Sequence, residues 1–201
     1  MEGVFALFTF LIIVYIFSFK FRKVNEYHKK REVELRDENI KHEVELKNSI
    51  KEYFPGYTRE RLEEKVKNTI YKILNAYTNY DYDTLNKMCT EELFDKYKIQ
   101  LDKLKNKNKK NIFSDFEEET IDINNIYESN GTVTLEIWYA SKYYNYIINK
   151  NNRVIKGSKK EKYSDSFSMK FIVTKNEELA LSEDNHLISE DEDYVLIKGI
   201  M

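Results

Sequence analysis

The sequence predicts an α+β domain, helices first and an antiparallel meander after them, carried behind an N-terminal transmembrane helix and a charged stalk helix. Three observations carry this. Residues 3–19 are an uncharged run of 17, GVFALFTFLIIVYIFSF; apolar residues recur at a helical period between Leu62 and Leu104; beyond Asn111 the period falls to two. Helices followed by strands in series, rather than alternating with them, make an α+β arrangement with the helices packed on one sheet face.

The first element is short for a bilayer span but strongly apolar. Twelve of its residues are Val, Leu, Ile or Phe, and at roughly −0.3 to −0.6 kcal/mol each they supply about −4 to −7 kcal/mol for insertion. Lys20 can lay its stem along lipid and hold its ammonium at the headgroups. A secretory signal would need a basic start and a small-residue cleavage site, whereas the chain opens Met-Glu-Gly and leaves the run through Ser18-Phe19-Lys20-Phe21. Residues 1–22 therefore read as an uncleaved anchor. Lys20, Arg22, Lys23, Lys29, Lys30 and Arg31 follow it, against only the α-amino group and Glu2 before it. The positive-inside rule then puts the N-terminus outside and the rest of the chain in the cytoplasm, at the inner (plasma) membrane. These six residues are also the candidate contacts for anionic lipid headgroups.

Residues 23–53 are charged, lack Gly and Pro, and place Glu32 before Arg36 and Glu43 before Lys47 at i,i+4. Their apolar stripe is narrow and drifts, which suits a solvated stalk; a homodimeric coiled coil through residues 24–52 is the alternative. Phe54-Pro55-Gly56-Tyr57 breaks the pattern and opens a domain over 54–201. Thr58 is placed as an N-cap, with Leu62, Val66, Ile70, Ile73, Leu74 and Tyr77 on one face of a long helix. Asp83 can cap a short helix carrying Leu85, Met88 and Cys89. Thr90 caps a third with Leu93, Phe94, Tyr97, Leu101 and Leu104 inward. The lone cysteine reads as a small apolar residue at the helix junction.

In the strand region, Ile121 and Ile123 alternate with polar neighbours, and Ser129-Asn130-Gly131-Thr132 is a two-residue hairpin signal. Val133, Leu135, Ile137 and Tyr139 share a face; Tyr144, Tyr146 and Ile148 form another run that ends at Lys150-Asn151-Asn152; Phe167, Met169, Phe171 and Val173 make a further strand. Residues 177–193 hold eight acidic groups and no Lys or Arg, which reads as a solvated loop before a closing strand over 194–200.

Composition narrows the function classes. Thirty-three basic and 35 acidic residues leave a net charge of −2, which argues against a general nucleic-acid binder. One cysteine excludes a disulfide framework and a multi-thiolate zinc site within a monomer. The three histidines, His28, His42 and His186, are scattered among charges. No Gly-rich phosphate loop, metal-spaced cluster or nucleophile elbow is present, so no cofactor is expected.

Residues from Phe54 to Val173 resemble the Tim44-like domain family, named for the scaffold subunit of the mitochondrial inner-membrane import motor. The carrying segments are the Phe-Pro-Gly-Tyr-Thr entry, the long helix with Ala76 and Tyr77 before Tyr80-Asp81-Tyr82-Asp83, and Thr90-Glu91-Glu92-Leu93-Phe94. They continue with Asn111-Ile112-Phe113-Ser114-Asp115, Tyr144-Asn145-Tyr146-Ile147-Ile148 and Val154-Ile155-Lys156-Gly157. Bacterial members often carry a transmembrane helix in front of the domain; the Cys-rich ribbon some of them add is missing here. The resemblance implies a nuclear-transport-factor-two-like cone, about three helices on a curved antiparallel sheet of four or more strands. Tyr139, Tyr144, Tyr146, Phe167 and Phe171 are its candidate pocket lining. Function follows by fold analogy: a membrane-attached module that binds a protein partner, without catalysis. Two alternatives stand beside it. A small-ligand or lipid-binding cone, or an enzyme of the kind this fold also hosts, would use a carboxylate and a tyrosine, for which Asp81, Asp83, Asp115, Asp122, Tyr139, Tyr144 and Tyr146 are available. A ribosome- or RNA-contacting protein would use Lys103, Lys105, Lys107, Lys109 and Lys110; these lack Arg and interleaved aromatics and read as a solvated helix-to-strand connection.

Overall fold

The computed structural model describes the backbone of residues 2–174 and 178–184, and side chains from Tyr27 onward apart from Glu118. The chain divides into two units, Met1–Lys47 and Asn48–Met201. Helix α1 (Glu2–Tyr53) supplies the first unit and begins the second. Within the first unit, side chains from Tyr27 to Glu45 are all exposed, Val33, Ile40 and Val44 among them. Ion pairs along it include Lys30–Glu34 at 3.9 Å and Lys41–Glu45 at 3.8 Å, each worth only about 0.3–0.5 kcal/mol. Among the residues whose side chains are described, no helix is long and apolar enough to cross a membrane; the run 3–19, with Lys20, Arg22 and Lys23, lies outside them.

The second unit is α+β, with a curled antiparallel sheet. After the end of α1 come α2 (Arg59–Asn79), α3 (Tyr82–Met88) and α4 (Glu91–Asn106). Thr58 caps α2, its hydroxyl accepting from the Arg61 amide at 3.3 Å. The inward face holds as its spacing predicts: Leu62, Val66, Ile70, Ile73, Leu74 and Tyr77 are all buried. The cap of α3 differs from expectation. Tyr80 turns into the left-handed region (φ 57°) and the chain re-enters the helix two residues earlier. Asp81, not Asp83, then accepts from the Thr84 amide at 3.0 Å and its hydroxyl at 2.7 Å. Thr90 stands at the start of α4 but forms no side-chain cap; its amide donates to the Leu181 carbonyl at 2.8 Å.

Five strands follow among the described residues: β1 (Lys109–Ser129), β2 (Thr132–Asn149), β3 (Val154–Gly157), β4 (Tyr163–Val173) and β5 (Leu179–Asp184). The order is β1-β2-β4-β5, with β3 also on β2. Ser129 pairs with Thr132 across Asn130 (φ 51°) and Gly131 (φ 76°), the left-handed pair that a two-residue hairpin needs. β1 shifts register between Ser114 and Glu117, Glu117 and Thr120, and Ile123 and Asn125. Such bulges bend a strand and increase its twist, which curls the sheet around the helices.

Three strand expectations need correction. The runs 133–139 and 144–148 are one strand with one phase: Leu135, Ile137, Tyr139, Ser141, Tyr143, Asn145 and Ile147 are buried. Tyr144, Tyr146 and Ile148 consequently lie on the other face, because side chains alternate with a strict period of two. Residues 179–184, read as part of an acidic loop, form β5, with Leu179, Ala180, Leu181 and Asp184 buried. The basic stretch is not a loop: Lys103 and Lys105 end α4, and Lys109 and Lys110 begin β1, with only Lys107 and Asn108 between. The expected closing strand over 194–200 lies outside the described residues.

Candidate functional site

The inner face of the sheet and the helices opposite it meet through aromatic rings. Tyr77 of α2 and Tyr97 of α4 cross edge to face with centroids 5.5 Å apart. Tyr77 also meets Phe113 at 6.2 Å, Phe113 meets Tyr143 at 6.2 Å, and Tyr143 stacks on Phe116 at 5.3 Å. Tyr139 and Phe167 lie 5.2 Å apart on neighbouring strands. Offset and edge-to-face pairs of this kind are worth about 0.5–1.5 kcal/mol each beyond the area they bury. The concave side of the sheet is thus lined by the protein's own rings, with Tyr77, Tyr97 and Tyr139 at 0–1% exposure.

Three carboxylates meet these phenols. Asp184, at the end of β5 and 3% exposed, accepts the hydroxyl of Tyr97. Glu119 accepts from Tyr139 at 2.9 Å and pairs with the Lys67 ammonium at 2.6 Å. Burial works to raise its carboxyl, but hydrogen bonds from Lys67, Tyr71 and Tyr139 outweigh this and hold it below the ordinary glutamate range. Asp165 goes the other way, raised by burial against hydrogen bonds from the Ser166 amide and Tyr143. Burial first, and these carboxylates second, push the phenols of Tyr97 and Tyr143 up. Near neutral pH both phenols therefore keep their protons and act as donors. The Cys89 thiol, buried beside Leu181, is pushed up to about 12 by burial and then by Asp184; a thiol so raised is a poor nucleophile.

Of the predicted pocket lining, Tyr139, Phe167 and Phe171 face inward and are buried. Tyr139 and Phe167 are brought together; Phe171 stands further along β4, opposite Leu135. Tyr144 and Tyr146 are on the outer face under lysines, with Lys162 at 5.1 Å and Lys159 at 5.0 Å from their ring centroids. The carboxylates that the sequence offers for such chemistry do not converge. Asp81 caps α3, Asp83 lies in its first turn, Asp115 pairs with Lys162 at 2.9 Å, and Asp122 pairs with Arg59. Lys29, Lys30 and Arg31 are exposed on α1. Asp184 and Glu119 carry no distinguishing signal in the sequence, because both stand beside other acidic residues. Among the described residues no group of His, Cys, Asp and Glu could hold a metal ion.

Outside the helices, α2, α3 and the start of β5 enclose a groove of about 890 Å³. Arg61, Lys65 and Lys72 from α2 and Lys87 from α3 line it, opposed by Glu64 and Glu178. Its apolar contribution comes from Pro55, Tyr57, Met88 and Leu179. Lys65 sits 5.0 Å over the Tyr57 ring and donates to its hydroxyl at 3.4 Å. No spacing in the sequence announces this groove, since its cations lie on two helices and its floor on a strand more than ninety residues away (Leu179 against Lys87).

The family model described as a Tim44-like domain matches residues 45–168. No curated protein matches the chain.

Proposed function

The chain belongs to the Tim44-like domain family, and from that premise we propose that it is a membrane-anchored, non-catalytic protein-binding module whose domain faces the cytoplasm. The observation that carries the binding role is the filled interior. Tyr77, Tyr97, Phe113, Tyr139 and Tyr143 pack where a cone would otherwise hold a ligand, so recognition falls to the outer surface. The anchor and its orientation rest on the uncharged run and on the basic residues from Lys20 to Arg31.

The test combines topology with crosslinking in the native membrane. The full chain should stay in the membrane fraction, a C-terminal reporter should be active on the cytoplasmic side, and photocrosslinkers on the outer surface should join it to one protein in stoichiometric yield. A released chain that begins beyond Phe21, or a reporter active outside, would overturn the anchoring; loss of every protein crosslink would overturn the binding role.

One observation favours a second reading, in which the domain performs acid–base work on a small ligand: the buried Asp184 carboxylate accepting from Tyr97. Neither residue lines the groove described above. Ligand soaks that place a molecule against both groups would support it.

A further inference from the structure

We propose that the groove between α2, α3 and the start of β5 binds an acidic peptide segment that carries a bulky apolar side chain. The proposal rests on the protein-binding reading and names the chemistry of the partner.

Arg61, Lys65 and Lys72 follow one another at four and seven residues along α2. At 1.5 Å per residue the row is about 16 Å long, the reach of about five residues of extended chain. Lys87 adds a fourth cation from α3, and Arg61, Lys72 and Lys87 are all exposed. Glu64 and Glu178 interrupt this positive field. A uniformly charged strand, such as a nucleic-acid backbone, would meet them as repulsion. A peptide can turn its amide N–H groups toward them and its carboxylates toward the cations. Met88, Leu179 and Pro55 give an apolar side chain a place to rest, which neither a free phosphate nor a polyanion would use. A bilayer is excluded by shape, because a flat surface cannot enter a concave groove.

The experiment uses the full chain in detergent micelles and a fluorescein-labelled ten-residue peptide of Glu and Asp with two central leucines. Binding is read by anisotropy at about 0.15 M salt, where the screening length of ~8 Å removes diffuse attraction. The expected result is saturable binding that weakens at least tenfold in Arg61→Gln/Lys72→Gln/Lys87→Gln. Binding should be unchanged in Lys103→Gln/Lys105→Gln/Lys107→Gln, which removes as many charges elsewhere, and should weaken when the leucines become serines. The substituted side chains are exposed, so both variants should melt with the parent. Equal weakening in the two variants, or indifference to the leucines, would overturn the proposal. So would tighter groove-dependent capture of phosphatidylglycerol vesicles. If native-membrane crosslinks persist in the groove variant, the groove fails while the protein-binding reading stands.

Discussion

Single residues decide whether the sheet can close. Gly157 holds φ at 78°, and a Cβ there would lie 2.2 Å from the Asn145 carbonyl oxygen and 2.7 Å from the Tyr146 Cα. Both obstacles are backbone, so nothing swings aside. Gly157→Ala should cost about 2–4 kcal/mol through the left-handed conformation and the displaced strand together, read as a lowered urea midpoint. Asn111 presents the opposite case: 2% exposed, with neither amide atom hydrogen-bonded among the described residues. Replacing an unsatisfied buried amide by an apolar group of similar shape removes a desolvation cost of about 1–3 kcal/mol; Asn111→Leu should raise the melting temperature. Glu119 supplies a pH dependence whose sign is fixed by its lowered carboxyl. An acid depressed in the folded state contributes stability that is complete above its ordinary value near 4.5 and lost as pH falls through the lower folded value. Glu119→Gln should therefore destabilise the domain at pH 7 and flatten the loss of stability between pH 5 and 3, measured by urea titration at each pH.

At the scale of elements, α2 and α4 were legible because apolar and charged residues differ sharply on a helix, and Leu62, Val66 and Ile70 leave one phase open. The long strand β2 was not. Tyr139, Tyr143, Tyr144 and Tyr146 put the same residue on both faces, and a ring with a polar tip suits either a core or a wet surface. The contrast that fixes a strand's phase was missing where the two predicted runs joined. β5 was hidden differently. Glu177, Glu178, Glu183 and Asp184 give its surroundings the composition of a solvated loop, yet Asp184 is buried on Tyr97 and the strand is held to α4 through the Thr90 amide. The groove was illegible for a third reason: it needs β5 to exist before Leu179 can meet Met88 and Lys87. The tie itself can be tested. Tyr97→Phe removes the hydrogen bond that Tyr97 donates to the buried Asp184 and leaves that acceptor unsatisfied, a loss of about 1–3 kcal/mol. Amide exchange should accelerate in Leu179–Asp184 first, while the β1–β2 ladder keeps its protection. Uniform acceleration across the sheet would show that β5 opens only with global unfolding.

For the whole molecule the question is where the folded domain begins. Composition drew the boundary at Phe54, after the last charged residues of the stalk. The second unit of the structure starts at Asn48, and the family match at residue 45. The last turn of α1 explains the shift: Ile50 is 4% exposed, and its carbonyl accepts the Phe54 amide at 2.9 Å. Charged neighbours concealed this: Leu46, Ile50 and Phe54 are each 4% exposed, but one apolar residue per turn among charges makes only a narrow stripe. The two boundaries predict different behaviour from shortened chains. Losing a buried Ile side chain costs about 2–5 kcal/mol, and in a domain of this size each kcal/mol lowers the melting temperature by about 2–4 °C. A chain that begins at Phe54 should therefore melt about 4–20 °C below one that begins at Asn48. If the stalk ended at Phe54, the two would melt together, since everything removed would be solvated helix. Ile50→Ala in the full chain separates the packing contribution from truncation as such: it should reproduce most of the difference while leaving the helix intact.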